Sequence, residues 1–299
     1  VQVQVRASRV FALAGESLVV VDATGATPTR TIGVPSGFDT LEVDGDGAYA
    51  VLWSRQAPSD SIFATPNRIA LVDLGDAPSV RTVALSDTRP LGVSFAPPFT
   101  LEDPAVELRY AVIHAEGALS MVRLDDPREP DVQRIIPLAP PGAGDGVVPL
   151  SIVWSDDDPT DPFDVRMYVL AARAAELFAI DILPPASTDD RAFQPAINQI
   201  ALRGTPLDVD RFDDGGRERL LVLSDGFLTV VDTATSQVVE TTLPRRGYAS
   251  SMVWQGDAGE PRALLWGAID TGLFVELDLL SALGTGATRG VSFGRALSW

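Results

Sequence analysis

The chain has 299 residues, 45% of them hydrophobic, and a formal net charge of −18 at pH 7. This composition predicts a folded core, and no apolar run of about 18 residues indicates a transmembrane helix. The chain has no Cys, no Lys and a single His, His114, which excludes disulfides, thiolate chemistry, lysine Schiff bases and a multi-histidine zinc site within one chain. The negative charge disfavours nucleic acids as partners, and we expect no direct membrane insertion.

Taken in order, the chain is a succession of short strand patterns. Its central motif is an apolar run, a turn and a second apolar run that usually ends in Asp. Six copies occur, at Val10–Ala14 with Leu18–Asp22, Tyr49–Trp53 with Arg68–Asp73, Tyr110–His114 with Leu119–Leu124, Met167–Ala171 with Leu177–Asp181, Leu220–Leu223 with Phe227–Asp232, and Ala263–Trp266 with Leu273–Asp278. Runs of this length that are rich in Val, Leu and Thr and end in turn residues are typical of β-strands.

A strand before each copy and a strand after it complete the repeat. The preceding strands are Val1–Arg6, Phe38–Val43, Pro90–Phe95, Pro149–Trp154, Pro206–Arg211 and Ala249–Trp254. The following strands alternate polar and apolar residues, as expected for one wet face, at Thr29–Val34, Val80–Leu85, Val132–Leu138, Ile197–Leu202 and Val238–Leu243. Four antiparallel strands repeated every roughly 40–60 residues predict an all-β fold, a single β-propeller domain over residues 1–299.

Six blades are favoured, with approximate bounds 1–35, 36–86, 87–139, 147–202, 203–244 and 247–299. The number depends on Thr288–Phe293, which we interpret as the fourth strand of the sixth blade. This segment also echoes Pro90–Phe95, so that it could instead begin a seventh blade.

One segment resembles a known family. Residues 227–241 read Phe-Leu-Thr-Val-Val-Asp-Thr-Ala-Thr-Ser-Gln-Val-Val-Glu-Thr, which looks like the YVTN-type β-propeller repeat, whose core is roughly V-x-V-I-D-T-x-T-x-x-V-x-x-T. Residues 18–32 are a looser match, and residues 43–51 resemble the Asp-Gly turn of that family. The resemblance implies an extracytoplasmic binding or surface protein and no particular reaction. The resemblance also implies a periplasmic, cell-surface or secreted location. Because the chain opens Val-Gln-Val-Gln-Val, without an initiator Met or an apolar targeting segment, we expect that any signal sequence has already been removed.

Charged residues separate between the two ends of the predicted blades. The turns after the first and third strands carry roughly half of the 41 acidic residues and few arginines. Asp156, Asp158 and Asp161 form the densest cluster, which is either a calcium site or a solvated acidic loop. The segment Asp44-Gly-Asp-Gly47 is predicted to be a hairpin turn and not an EF-hand, because Arg55 stands where the bidentate Glu belongs.

The opposite end holds the candidate binding residues. Arg89, Arg203, Arg245 and Arg246 lie in the predicted blade-to-blade connections. Because a guanidinium group offers paired N–H donors to a carboxylate, these side chains predict an anionic ligand or an acidic partner. The other interpretation is that they are scattered surface arginines paired with nearby acids.

No catalytic residue is predicted, and His114 is interpreted as a packed strand residue. The leading hypothesis is a non-enzymatic, extracytoplasmic protein-binding or assembly module, either a surface protein or a subunit of a larger complex. It needs no cofactor, although calcium is possible. One alternative is a hydrolase or lyase whose divalent metal ion is bound in the propeller channel by Asp208, Asp210 and Glu42. Another is a structural subunit of a filament or coat.

Overall fold

A computed structural model describes residues 1–55, 67–85, 89–102, 105–125, 132–138, 147–156, 165–172, 174–183, 194–243, 245–256, 259–267, 274–279 and 292–293. Within this part of the chain, 26 β-strands form two compact units, with three four-stranded antiparallel sheets in each. None of the described segments is a helix long and apolar enough to cross a membrane.

The first unit contains sheets one to three. Sheet one comprises β1 (Gln2–Arg6), β2 (Arg9–Ala14), β3 (Ser17–Asp22) and β4 (Arg30–Gly33). Sheet two comprises β5 (Thr40–Val43), β6 (Tyr49–Trp53), β7 (Arg68–Asp73) and β8 (Ser79–Ala84). Sheet three comprises β9 (Pro90–Phe95), β12 (Tyr110–Ala115), β13 (Ala118–Arg123) and β14 (Val132–Pro137), and the hairpin β10 (Phe99–Glu102) and β11 (Ala105–Leu108) is inserted between β9 and β12.

The second unit contains sheets four to six. Sheet four comprises β15 (Val148–Asp156), β16 (Val165–Ala172), β17 (Glu176–Leu183) and β18 (Gln194–Ala201). Sheet five comprises β19 (Pro206–Asp213), β20 (Glu218–Ser224), β21 (Phe227–Asp232) and β22 (Val238–Thr242). Sheet six comprises β23 (Tyr248–Gln255), β24 (Pro261–Gly267), β25 (Phe274–Asp278) and β26 (Ser292–Phe293).

The predicted strand order of each repeat is confirmed. Each predicted first strand pairs with the second, the second with the third and the third with the fourth. In sheet six, Ser292 and Phe293 pair with Asp278 and Leu277 of β25, which confirms the interpretation of this segment as a fourth strand. Six four-stranded sheets are therefore present in the described residues, in agreement with the favoured blade number.

The hairpin of β10 and β11 was not predicted. The hairpin lies within the turn after the first strand of the third repeat, and Phe99 to Glu102 pair in antiparallel register with Leu108 to Ala105. Phe99 is buried and meets the ring of Tyr110 edge-on, with 5.7 Å between the ring centres. Burial of this aromatic ring stabilises a hairpin that would be marginal by itself.

The Pro-Leu signature of the first strands marks a β-bulge. In β19, Pro206 lies opposite Ser224 and Asp208 opposite Leu223, so that Leu207 has no residue opposite it. The same shift occurs in β9 and β15, and again at Tyr248 in β23. Proline is tolerated at a strand's first residue because no ladder hydrogen bond is lost there, and the bulge then redirects the side chains that follow.

The middle strands of sheets two and five bury both faces, which accounts for their continuous apolar runs. In β6, Ala50 and Leu52 pack in a cluster shared by sheets one and two, whereas Val51 and Trp53 pack in one shared by sheets two and three. Residues of β20 divide in the same way between sheets four and six. Each fully buried Val or Leu side chain in these clusters stabilises the fold by about 1.5–3 kcal/mol relative to an exposed one.

The Asp-Thr-x-Thr turn after β21 connects three strands. The Asp232 carboxylate accepts hydrogen bonds from the backbone N–H and the hydroxyl of Thr235, at 3.0 and 2.9 Å. The hydroxyl of buried Thr233 donates to the Glu218 carbonyl at 2.8 Å, and the Thr233 carbonyl accepts from the Tyr168 hydroxyl at 3.2 Å. The Asp therefore closes the turn on itself, while Thr233 ties it to β20 and to sheet four.

Candidate functional site

Three of the four predicted binding arginines lie at one end of sheet five. Arg203 is in the connection between β18 and β19, and Arg245 and Arg246 are in the connection between β22 and β23. All three residues are exposed. The Arg203 guanidinium lies over the ring of Phe227, 4.9 Å from its centre, and Arg246 Nη1 is 3.6 Å from Asp225 Oδ2. We call Arg203, Arg245, Arg246 and Phe227 the arginine surface.

Backbone hydrogen bonds hold both connections against the turn between β20 and β21. Asp225 N–H donates to the Thr205 carbonyl at 2.9 Å, and Leu243 N–H donates to the Gly226 carbonyl, also at 2.9 Å. The chain approaches this turn so closely at Gly204 that a Cβ atom there would lie 2.9 Å from the Asp225 carbonyl oxygen. Gly204 also has a φ of 81°, which other residues rarely adopt. The arginine surface is therefore carried on a tightly fixed backbone.

The ionic contacts of these arginines are weak enough for a partner's carboxylate to replace them. The side chains of Arg246 and Asp225 are 76% and 47% exposed, and an ion pair in this environment contributes at most about 1 kcal/mol. Arg245 has no ion-pair partner among the described residues. The surface can therefore turn N–H donors towards an incoming carboxylate without breaking a strong internal contact.

Arg89 belongs to the other unit, where it immediately precedes β9 and is half-buried. Arg89 is predicted together with the other three arginines because it, too, lies in a predicted connection between two blades. No described contact joins it to a binding surface, and its assignment stays a prediction.

The acidic ends of the sheets contain more arginine than their turn sequences indicate. Arg109, which immediately precedes β12, pairs with Asp44, Asp46 and Glu107 at 3.7, 3.3 and 2.7 Å. Comparable pairs are Arg123 with Asp125, Arg219 with Asp214 and Arg262 with Glu260. These arginines lie on or next to strands, and their long side chains reach the turns, so that a count of turn residues alone overstates the unpaired negative charge.

Asp44 has a structural role. Its Oδ1 accepts the backbone N–H groups of Ala48 and Tyr49 at 2.7 and 3.0 Å, which closes the loop between β5 and β6. The predicted hairpin turn is confirmed. Burial of this carboxyl raises its pKa from the usual value.

The predicted calcium ligands lie at or beyond the edge of the described residues, and their assignment stays a prediction. Asp156 is the last residue of β15 and its side chain is not described, and Asp158 and Asp161 lie outside the described residues. Among the residues that are described, no three His, Cys, Asp or Glu side chains are grouped so that they could hold a metal ion.

Two of the predicted channel carboxylates meet at the contact between sheets five and six. Asp208 Oδ2 accepts the backbone N–H of Ser251 at 2.8 Å, and the Ser251 hydroxyl is 3.2 Å from Asp210 Oδ2. Burial, followed by the negative charge of Asp208, raises the pKa of Asp210 from 3.8 to about 6. Asp210 therefore takes up a proton slightly below neutral pH, while the hydrogen bonds of Ser251 to the two carboxylates join β19 to β23.

The third predicted channel carboxylate, Glu42, belongs to the other unit. Its oxygens accept the Gln4 amide at 2.9 Å and pair with Arg6 at 3.4 Å. Gln4 also bonds to the backbone of β5, so that this group joins β1 to β5. The carboxylate is thereby used in the contact between sheets one and two.

His114 packs within sheet three, as predicted. Its ring is buried, which lowers its pKa from 6.5 to about 4, so that it is neutral at pH 7. Its Nε2 lies 3.0 Å from the Ser94 hydroxyl on β9. Gly92 provides the space for the ring, because a Cβ atom at that position would lie 3.2 Å from His114 Nδ1.

Sequence reasoning did not predict a role for Phe227 in the site. Its position as the first residue of β21 indicated only a strand start, although it faces the connection that carries Arg203. The one indication in the sequence was Gly204, a glycine in the connection that carries Arg203. It indicates a close contact with the Asp225-Gly226 turn only when the path of the connection over this turn is known.

No protein-family model and no curated protein sequence matches the chain. Solved structures do. The WD40 domain of SCAP from fission yeast matches with a TM-score of 0.57 and 13% identity over 93% of this chain and 61% of that one. The dihydro-heme d1 dehydrogenase NirN in complex with DHE matches with a TM-score of 0.55 and 18% identity over 93% of this chain and 51% of that one, so the chain spans less than two thirds of either protein.

The β-propeller domain of Cps50 (Swd1) from Myceliophteria thermophila matches with a TM-score of 0.53 and 9% identity, over 87% of this chain and 77% of that domain. At such identities the similarity concerns the fold alone, and WD40 domains are themselves built from four-stranded blades. The sheet topology and these similarities together show that the chain has an all-β, β-propeller fold, with six four-stranded sheets among its described residues.

Proposed function

We propose that the chain is a non-enzymatic, extracytoplasmic protein-binding module, a surface protein or a subunit of a larger complex, which recognises carboxylates of its partner through the arginine surface. The single observation that carries the proposal is that Arg203 and Arg246 contact the same turn of sheet five, at Phe227 and Asp225, with exposed Arg245 next to Arg246 in the same connection. Connections and turns on a rigid β scaffold are common positions for binding residues.

The electrostatics of the molecule give this surface its selectivity. With a net charge of −18 the chain repels acidic molecules at long range. The arginine surface is a locally positive region, because three exposed arginines lie there with Asp225 as the one acid in contact with them among the described residues. A partner must therefore present its carboxylates in the geometry of these guanidinium groups, since charge alone does not attract it.

Phe227 adds an apolar element. Its ring is partly exposed and lies under the Arg203 guanidinium, so that a partner side chain can bury against ring and guanidinium plane together. Aromatic residues and arginine are enriched where protein interfaces gain most of their binding energy.

The extracytoplasmic location is supported by the resemblance of residues 227–241 to the YVTN-type repeat. Within that segment the described geometry gives Asp232, Thr233 and Thr235 distinct structural roles in the turn. The residues that carry the resemblance are therefore those that shape the turn. The resemblance supports an extracytoplasmic location and does not identify a partner.

A footprint of the arginine surface tests the proposal. The native source would be passed over the immobilised chain, the captured partner purified, and the complex treated with phenylglyoxal, which modifies accessible arginines. We expect the partner to protect Arg203, Arg245 and Arg246, while Arg217, exposed at the opposite end of sheet five, still reacts. Equal reactivity of all four arginines in the free and bound chain would reject this surface.

A further inference from the structure

The outer edge of sheet four is open. β18 is the last strand of this sheet, and no described strand pairs with its other side. Residues 196–199 of β18 are all exposed, and among them Ile197 leaves 38% of a large hydrophobic side chain accessible. The edge of such a strand presents N–H and C=O groups without backbone partners, and another strand can bind to them.

β18 lacks the features that protect the outer strands of the other described sheets. It has eight residues, whereas the other outer strands have between two and six. Its sequence, Gln-Pro-Ala-Ile-Asn-Gln-Ile-Ala, contains no charge. Each of the other outer strands with four or more residues contains a charged residue, and these are Arg30, Arg81, Arg134 and Glu240. Because short length and charge are the usual means of preventing an edge from pairing, β18 is the outer strand best able to pair.

The direction of the outward backbone groups follows from the pairing of β18 with β17. The Leu202 N–H, just after β18, donates to the Ala175 carbonyl at 2.7 Å. Since hydrogen bonding alternates along an antiparallel strand, the even-numbered residues of β18 bond to β17. The odd-numbered residues direct their backbone groups away from the sheet, and these are Pro195, Ile197, Gln199 and Ala201. Pro195 has no N–H, which costs the sheet no hydrogen bond at this outward position.

We infer that β18 pairs with β18 of a second copy of the chain, antiparallel and about a two-fold axis at Gln199. In this register Ile197 of one copy lies opposite Ala201 of the other, and the two Gln199 residues lie opposite each other. Each copy donates and accepts backbone hydrogen bonds through the same residues, because the axis repeats every contact. The strand is complementary to itself, since apolar residues meet apolar ones, amide meets amide, and no like charges within β18 face each other.

The overall charge opposes this association, and the uncharged strand permits it. With a net charge of −18, two copies repel each other at long range. Charges separated by more than about 8 Å are largely screened at physiological ionic strength, so that the neutral contact between the strands determines the outcome. Pairing should therefore strengthen as the salt concentration rises, whereas binding of carboxylates to the arginine surface should weaken. The two sites use different residues, and the inference does not rest on the proposed function.

Because the chain has no Cys, a single introduced Cys reports on one position. Gln199→Cys would be compared with Thr31→Cys, at an exposed position of β4, the outer strand that begins with Arg30. We expect mild oxidation to link two copies of Gln199→Cys, since facing residues of antiparallel strands have Cα atoms about 5.5 Å apart, within reach of a disulfide. Thr31→Cys should stay largely monomeric. Equal yields of linked dimer from the two variants would overturn the inference.

Sedimentation velocity over a range of concentrations would then compare the intact chain with Gln199→Lys and Thr31→Lys, after a thermal melt has shown that both variants are folded. Both changes lower the net negative charge equally, but only Gln199→Lys places two like charges opposite each other at the axis. We expect the intact chain to dimerise, Gln199→Lys to weaken the dimer about tenfold or more, and Thr31→Lys to leave it as strong or stronger. Equal weakening by the two Lys variants would overturn the inference. An intact chain that is monomeric at every concentration would also overturn it and would leave the edge to a strand of another protein.

Discussion

The guanidinium group of Arg203 lies over the ring of Phe227, with 4.9 Å between Cζ and the ring centre. The contact joins a residue of the connection between sheets four and five to the first residue of β21, and it fixes one arginine of the proposed binding surface. A cation–π contact at a partly exposed position contributes about 0.5–1 kcal/mol.

A double-mutant cycle measures this contact. We expect Arg203→Ala and Phe227→Leu each to lower the free energy of unfolding in urea, and the double variant to lower it by about 0.5–1 kcal/mol less than the sum. Additive effects of the two changes would show that the ring does not hold the guanidinium group.

Because the pKa of Asp210 is raised, we expect the contribution of this residue to the free energy of unfolding to fall as the pH rises. Its pKa in the fold is about 6, compared with 3.8 ordinarily, so the folded state favours the protonated carboxyl. This contribution is fully present below about pH 4 and is lost as the pH rises through 6. Because Asp210 is only partly buried, solvent screening reduces the effect to about 1–2 kcal/mol.

Asp210→Asn should therefore stabilise the chain at pH 7 and leave its stability at pH 4 almost unchanged. Chemical denaturation at both pH values checks this expectation, with Asp213→Asn, at an exposed position of the same strand, as the control. A stabilisation of the same size at both pH values would contradict the raised pKa.

His114 is the only His in the chain, so its imidazole gives one assignable NMR signal. Burial lowers its pKa to about 4, and the signal should stay that of the neutral ring down to about pH 5. His114 changes stability with pH in the opposite direction to Asp210. The stability that the neutral His114 ring contributes is complete above pH 6.5 and is lost as the pH falls towards 4. A midpoint near 6.5 would place the ring in solvent.

We expect loss of the Thr233 hydroxyl to destabilise the fold more than loss of an exposed threonine hydroxyl. Thr233→Val keeps the shape of the side chain but removes the hydroxyl that donates to the Glu218 carbonyl, which then keeps only the longer bond from the Thr233 backbone N–H, at 3.4 Å. We expect the free energy of unfolding to fall by about 1–2 kcal/mol. Thr242→Val, at an exposed position of β22, should change it by less than about 0.5 kcal/mol. Equal effects would mean that the turn is not held by this bond.

The strands could be predicted because burial determines their composition. Both faces of β6 and β20 are covered, which requires continuous apolar runs, and β22 is alternately covered, which requires alternation. The β10–β11 hairpin escaped this reasoning because it falls outside the repeat. Its stability depends on Phe99 meeting Tyr110, a contact that strand periodicity does not encode.

The site was predictable only as far as topology determines it. Strand order places Arg203, Arg245 and Arg246 in connections, but only the backbone fold at Gly204 brings Arg203 over the ring of Phe227. The reach of Arg109 to Asp46 likewise depends on a long side chain crossing between sheets, which turn composition cannot reveal.

The most direct test is the affinity of the purified partner for three forms of the chain, measured by calorimetry. They are the intact chain, the double variant Arg245→Ala with Arg246→Ala, and a control with Arg55→Ala and Arg217→Ala, which removes the same charge from exposed positions elsewhere. If the arginine surface receives the partner's carboxylates, the first double variant loses about tenfold or more in affinity, and the control stays within about twofold. Equal affinities of the two double variants would contradict the account.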